Sequence, residues 1–329
     1  MQQRQLGRNG PSVGAIGFGA MSIAGAFGPT DEATSHKVLA KALDLGVTHI
    51  DTALIYGPHT SETIIGNFLK HNPTARSRVS IATKGGFKIN PRGISNEKQF
   101  LRECLEGSLK RLGVDHVDLY YIHRREQAIP IEDVTGTLAD FVREGKIGGI
   151  GYSEISPASL ARAASVHPIR AVQSEYSLWS RLPELGMIQA CARHGAAFVA
   201  FSPVARGVLT DVTLDPTLFP ADDFRKNMPR FQPAAFAYNM KYVEAFRAFA
   251  KSRGWSTSAL AIAWVLHQGA HIIPIPGTRT AENLAMDAMA ADISLTPQDL
   301  AEIERILPAG FAQGNRYTED QQKSSELYC

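Results

Sequence analysis

Cysteine is scarce in this chain: three among 329 residues, Cys104, Cys191 and Cys329, far apart and never in a Cys-x-x-Cys pair. An odd, scattered set gives neither a disulfide framework nor a zinc site, and it suits a reducing cytoplasm. The histidines lack ligand spacing, so no metal is expected. Long apolar runs are also missing. No stretch approaches the roughly 18 residues of a membrane span, and Met1-Gln2-Gln3-Arg4-Gln5 has no apolar segment behind it to make a signal peptide. Charge of one sign is absent as well: 34 Lys and Arg stand against 32 Asp and Glu, a formal charge of +2. With no basic stretch interleaved with aromatics, nucleic acid and anionic membrane are not expected partners. A third glycine is lacking where a Rossmann loop needs one. Gly17-Phe18-Gly19-Ala20-Met21-Ser22 opens no helix until about Asp31, so it reads as a strand and its loop.

What is there is an ordinary globular composition, 44% apolar and 20% charged, carrying a repeating pattern. Arg4-Gln5-Leu6, a turn at Gly7-Arg8-Asn9-Gly10 and Val13 to Ile16 read as a hairpin. Helical periodicity then runs from Asp31 to Leu45, Ser61 to Lys70, Asn96 to Leu112, Ile131 to Arg143, Pro157 to Ser165 and Leu185 to His194. Short apolar runs lie between these helices: Val47 to Ile50, Val79 to Thr83, Val117 to Ile122, Ile147 to Gly151, Ala171 to Gln173 and Ala197 to Phe201. Residues 204 to 236 show no period, and a loop so long is usually functional. Helices at Tyr238 to Arg253 and Thr257 to Gln268, a strand from His271 to Ile275, a helix from Thr280 and a last one to Leu307 complete the pattern. About eight short buried strands, each followed by a helix, imply parallel pairing around a closed barrel. The expected fold is α/β, a (β/α)8 TIM barrel with an N-terminal hairpin and extra C-terminal helices. No linker divides it, so residues 1–329 read as one domain.

In such a barrel the active site gathers at the carboxyl ends of the strands. The second strand ends in Asp51 with Tyr56 close behind, the third in Lys84 and the fourth in His123. One Asp or Lys there is usually a helix cap or a solvated charge. Four ionisable groups of four kinds at three consecutive strand ends are harder to dismiss. A phenol ordinarily titrates near pH ~10, too high for an efficient acid at neutrality, and a nearby ammonium favours its phenolate. Lys84 can supply that ammonium to Tyr56, Asp51 can balance Lys84, and His123 can hold a substrate oxygen. The group suits protonating a carbonyl oxygen while hydride arrives from elsewhere.

Further phrases accompany these four residues. They are Gly46-Val47-Thr48-His49-Ile50-Asp51-Thr52-Ala53 with Tyr56-Gly57, Ile81-Ala82-Thr83-Lys84, and Asp118-Leu119-Tyr120-Tyr121-Ile122-His123-Arg124. Then come Glu144-Gly145-Lys146-Ile147, Gly149-Ile150-Gly151-Tyr152-Ser153-Glu154, Val172-Gln173-Ser174-Glu175-Tyr176-Ser177, Phe201-Ser202-Pro203-Val204-Ala205-Arg206-Gly207 and Ile275-Pro276-Gly277-Thr278-Arg279. In this order the chain resembles an aldo-keto reductase from Arg4 to about Leu307. Its Tyr-Ile-His-Arg and Gly-Tyr-Ser-Glu forms are most similar to the microbial, fungal and plant reductases of small aldehydes and ketones.

The resemblance implies a nicotinamide cofactor and a small carbonyl substrate. It makes Asp51, Tyr56, Lys84 and His123 the catalytic tetrad, with Tyr56 as general acid and with Tyr56 and His123 facing the substrate. Arg124, because it adjoins His123, reads as a contact to a substrate anion rather than as a cover for the rim. Ser153 and Gln173 would hold the carboxamide, and Phe201 would stack on the nicotinamide. Ser202, Val204, Arg206 and Gly207 would clasp the pyrophosphate, with Gly19, Met21 and Asp51 beside the cofactor. Gly277, Thr278 and Arg279 would surround the adenosine 2′-phosphate, and Asn283 and Asp287 would lie near the adenine. Arg279 favours NADPH. Asp287, and Asn283 where a cation is often found, leave NADH open. Where members often carry Asn after the serine, this chain has Glu154.

Other readings are plainer. Phe27, Phe219, Phe224 and Phe231 either line a substrate mouth or pin a loop, and Trp255 and Trp264 read as packing. Two functional alternatives stand: a Schiff-base lyase using a neutral Lys84, and a cofactor-binding sensor or subunit with little turnover. Neither the substrate nor the choice between monomer and homo-oligomer is legible in the sequence.

Overall fold

A computed structural model of the chain describes residues 1–328, and Cys329 lies outside the described residues. The chain opens with a hairpin, β1 (Gln3–Gln5) and β2 (Ser12–Gly14), pairing Arg4 with Val13. Strand and helix then alternate: β3 (Phe18–Gly19), α1 (Glu32–Leu45), β4 (His49–Asp51), α2 (Thr60–His71) and β5 (Ser80–Gly85). A small hairpin follows, β6 (Phe87–Lys88) and β7 (Gly93–Ile94), then α3 (Lys98–Leu112), β8 (Leu119–Ile122) and α4 (Ile131–Arg143). The second half runs β9 (Ile150–Ser153), α5 (Pro157–Val166), β10 (Ile169–Glu175), α6 (Met187–His194) and β11 (Ala197–Phe201). It ends with α7 (Pro233–Ser252), α8 (Thr257–His267), β12 (Ile272–Ile275), α9 (Ala281–Ala288), α10 (Pro297–Ile306) and α11 (Glu319–Gln322).

Eight parallel strands lie in the order β12-β11-β10-β9-β8-β5-β4-β3. The circle closes through the amides of Gly17 and Gly19, which donate to the carbonyls of Pro274 and Pro276 at 2.9 Å each. This is the expected (β/α)8 barrel. Strand alternation divides the core in two. Leu119 and Tyr121, Ala197 and Val199, with Ala171 and Ile273, fill the interior, and Leu6 and Val13 of the hairpin plug its amino-terminal end. Tyr120, Ile122, Phe198 and Ala200 face outward beneath the helices. The same alternation turns Asp51, Lys84 and Gln173 inward and Thr83 outward.

Local chemistry explains most boundaries. The Asp31 side chain caps α1 by accepting from the Thr34 amide at 2.7 Å, and Gly46 closes that helix in left-handed backbone. α7 begins five residues earlier than the apolar period places it, at Pro233, whose fixed φ suits a first helical position. Within the long loop, short 3-10 turns at Pro216–Leu218, Phe224–Asn227 and Pro229–Phe231 replace regular structure. Phe219 and Phe231 are buried there, with ring centroids 5.8 Å apart, and so pin the loop. Trp264 is a packing residue, as expected.

The α2–α3 contact yields a test. A Cβ on Gly66 would lie 2.1 Å from the Arg111 carbonyl oxygen in α3. Helix propensity favours Ala there by about 1 kcal/mol, but the neighbour is backbone and cannot swing aside. Gly66→Ala is expected to lower stability by about 1–3 kcal/mol in chemical denaturation. An unchanged or raised midpoint would show that this contact yields.

Candidate active site

Strand register sets the tetrad. Asp51 pairs with Ala82, so Lys84 stands one inward step higher on the next strand, and Lys84 pairs with Tyr121 on β8. His123 directly follows β8, and its amide donates to the Gly85 carbonyl at 2.9 Å. Tyr56 lies in the loop after β4, in a turn where its amide donates to the Ala53 carbonyl at 3.1 Å. That loop stays partly exposed while Asp51 and Lys84 are buried, at 1% and 0% exposure.

The Lys84 ammonium has three acceptors for three hydrogens. It donates to Asp51 Oδ1, to the Thr52 carbonyl at 2.8 Å and to the Tyr56 hydroxyl oxygen at 3.2 Å. Burial alone would lower its pKa; the charge of Asp51, aided by Tyr56, outweighs burial and holds it above the ordinary lysine value. Asp51 is satisfied on its other side, where Gln173 Nε2 donates to Oδ2 at 2.7 Å. Behind the barrel wall, Thr83 donates to the buried Glu62, which also accepts from Arg111 Nε at 2.7 Å.

His123 lies in the opposite situation. It is 8% exposed, and its Nδ1 has no partner among the described residues. Burial, then the cations Arg124 and Lys84, push its pKa well below the usual histidine value, so the imidazole is neutral. Its ring meets Tyr56 edge to face with centroids 5.8 Å apart, and Phe87 of the β6–β7 hairpin at 4.9 Å. Periodicity does not announce Phe87, because two-residue strands are too short to show a repeat. A partly exposed phenol, a buried ammonium and a neutral imidazole thus share one corner of the barrel mouth.

The other expected ligand residues gather around this rim. Gln173 and Ser153 are side by side in the β9–β10 register, both 2% exposed. The amide of Gln173 is engaged by Asp51, and the Ser153 hydroxyl accepts from Arg124 at 3.1 Å. Arg124 also donates to the His123 carbonyl at 2.7 Å and to the Tyr317 hydroxyl at 3.3 Å. Phe201 ends β11 with part of its ring open. Ser202, Ala205 and Arg206 follow with φ between 52° and 57°, and Gly207 with φ 95°. Backbone held so often in the left-handed region forms the kind of amide concavity that receives phosphate. Arg206 joins it by backbone only: its guanidinium turns inward and donates to Glu175 at 2.6 Å.

Across the mouth, the Gly277 and Gly19 backbones pack so closely that a Cβ on Gly277 would lie 2.5 Å from the Gly19 oxygen. Ser22 fastens that crossing by donating to the Thr278 carbonyl at 2.9 Å, with Met21 partly exposed beside it. Arg279 lies half-buried and donates to the Pro29 carbonyl at 3.0 Å, and Asn283 is exposed on the first turn of α9. Asp287 lies one turn beyond Asn283 on α9. It is 6% exposed, within reach of Ser258 on α8, and burial pushes its pKa up to about 7.

A model of the aldo/keto reductase family matches residues 15–308. The chain belongs to that family. It is 38% identical to the probable aldo-keto reductase 1 of Glycine max over 323 residues, 96% of this chain and 92% of that protein. It is 37% identical to the NADP(+) aldo-keto reductase yakc of Schizosaccharomyces pombe over 321 residues, 95% and 94% of the two chains. Its fold superposes on the glycerol dehydrogenase of Gluconobacter oxydans with a TM-score of 0.84 at 28% identity, covering 96% and 98% of the two chains. Membership makes it an oxidoreductase that uses a nicotinamide cofactor and acts on small carbonyl compounds. Among the described residues no helix is long and apolar enough to cross a membrane.

The family phrases end near Leu307, yet the segment beyond them returns to the site. Arg316 donates to Glu154, the residue that stands where members often have Asn, at 2.9 Å through Nη1 and again through Nη2. Glu154 has φ 58°, which Asn tolerates better than Glu. Glu326 then accepts from the Ser156 amide at 2.8 Å, and its own amide donates to the Glu154 carbonyl at 2.9 Å. An unmatched carboxylate at position 154 was the only signal that a distant cation must exist. Glu154→Asn is expected to relax the backbone yet lower stability by about 2 kcal/mol, because it leaves Arg316 short of a buried partner. Adding Arg316→Gln should recover part of that loss in a double-mutant cycle. Additive losses would mean that the pair does not interact.

Proposed function

We propose that this chain reduces aldehydes and ketones to alcohols with NADPH, Tyr56 acting as the general acid. The observation carrying the reading is the Lys84 ammonium, fully buried on Asp51 and 3.2 Å from the Tyr56 hydroxyl. A reduced nicotinamide, which Ser153, Gln173 and Phe201 would hold, would supply the hydride that the carbonyl carbon takes up. Tyr56 gives its hydroxyl proton to the carbonyl oxygen, and Lys84 stabilises the phenolate left behind. His123, neutral, donates a hydrogen bond that orients the same oxygen. Left-handed backbone at Ser202, Ala205, Arg206 and Gly207, the crossing at Gly277 and the cation at Arg279 fit an extended dinucleotide phosphate. With Asp287 turned inward, less negative charge opposes a 2′-phosphate beside Arg279. A cytoplasmic setting accords with the buried thiols of Cys104 and Cys191.

The Schiff-base alternative is disfavoured by the same geometry. Lys84 is held charged, and all three of its hydrogens have acceptors. A sensor with little turnover differs only in rate. Oxidation of NADPH measured against a panel of aldehydes decides among the three. Wild type should turn over, and Tyr56→Phe should lose about 10²–10⁴-fold in kcat. Full activity in that variant, or a borohydride-trapped Lys84 adduct, would remove Tyr56 from its role. Arg279→Ala should raise the KM for NADPH about tenfold or more with little change for NADH.

The depressed His123 pKa also has a sign to test. A group neutral in the fold stays neutral above its lowered pKa, so the kcat profile should cross pH 6.5 without a step. A single inflection there that disappears in His123→Gln would show that the imidazole titrates.

A further inference from the structure

Away from the tetrad, charge is unbalanced beneath the C-terminal tail. Two buried carboxylates, Glu154 and Glu175, face three guanidiniums, Arg206, Arg230 and Arg316. Arg316 pairs with Glu154 and lies 3.7 Å from Glu175, while Arg206 pairs with Glu175 at 2.6 Å. Arg230 makes no ion pair among the described residues. It donates to the Trp179 carbonyl at 2.6 Å, the Ser180 hydroxyl at 2.7 Å and the Gly314 carbonyl at 3.0 Å, all neutral. Burial pulls its pKa down to about 10, and the neighbouring Arg206 and Arg316 add to that against Glu175. One positive charge is therefore left over, on a guanidinium that is only partly buried.

These three arginines, Glu175 and Trp179 line a cavity of about 10 Å³, walled on its apolar side by Phe231. That space is about the size of one water and is partly open to solvent, so a small ion can reach it. The Trp179 indole N–H is buried without an acceptor among the described residues, with Trp179 only 5% exposed, and such a group usually finds one. Among the described residues Glu175 is the sole carboxylate on the cavity wall, and its oxygens already accept from Ser180 at 2.8 Å and Arg206 at 2.6 Å. Surplus donors, a surplus positive charge and room for one particle ask for the same ligand. We propose that this cavity is a binding site for a small monovalent anion of chloride size, held by Arg230 and Trp179 between Arg206 and Arg316.

The anion would neutralise the surplus charge where three distant segments meet: the loop after β10, the loop after β11 and the tail. Its occupancy stabilises the docked tail and requires no part in the chemistry. Thermal unfolding in sodium chloride against sodium gluconate at constant ionic strength reads it directly. Chloride should raise the midpoint along a saturating curve, and a bromide-soaked crystal should show one anomalous peak in this cavity. Trp179→Phe keeps the ring and removes the N–H, so it should weaken the chloride midpoint about tenfold. Arg230→Gln removes the surplus charge and should make the melting temperature indifferent to chloride. Should Arg230→Gln fail to fold, Trp179→Phe and the bromide map still decide. Identical melting in the two salts, a chloride response kept in full by Trp179→Phe, or a cavity holding only water would each overturn the proposal.

Discussion

A fully buried ammonium is the constraint around which this barrel mouth is arranged. Moving an unpaired ammonium out of water costs several kcal/mol, and removing one partner of a buried pair costs about 3–5 kcal/mol. Lys84 therefore dictates its surroundings. Asp51 must stand on the adjacent strand one inward step lower, the Thr52 carbonyl must turn toward the same point, and Gln173 must cover the second Asp51 oxygen. Barrel closure through Gly17 and Gly19 fixes β3 and β4, and with them the height of Asp51. One of the three acceptors, the Tyr56 hydroxyl, lies on a loop open to solvent. Electrostatic force built in the core thus reaches the outside through a single oxygen.

This inner part of the site was legible in the sequence because local rules govern it. Alternation with period two decides which strand residues face inward, and the carboxyl ends of consecutive strands are neighbours whatever the loops do. Asp51, Lys84 and His123 could be placed together on those grounds, and the family phrases then gave them roles. Helix boundaries followed where a cap announced them, as at Asp31 and Gly46. They slipped where packing overrode the apolar period, as at the start of α7, where Pro233 rather than the first apolar residue sets the beginning.

The outer part was hidden for an equally physical reason. Arg316 meets Glu154 across 162 positions of chain, and no periodicity carries information over that distance. Side-chain direction was hidden too. Arg206 lies in the expected cofactor loop, but its guanidinium serves Glu175, and Asp287 on α9 turns into the packing against α8. Residue type and position in a motif could not distinguish a backbone contribution from a side-chain one. Only the competing partner, visible once the tail is in place, makes that distinction.

Lys84 and His123 also show how partner geometry divides proton chemistry between neighbours. Both are buried, and burial disfavours the charged form of each. Lys84 has a carboxylate within direct contact, so its charge survives and its pKa rises. Among the described residues His123 has no carboxylate beside it, and its charged neighbours are the cations Arg124 and Lys84, so its charge is lost. The ammonium that stays charged lies 3.2 Å from the Tyr56 hydroxyl. The imidazole that stays neutral offers a hydrogen bond without competing as an acid. Two basic groups in one low-dielectric corner are pushed apart in this way, one kept charged and the other kept neutral.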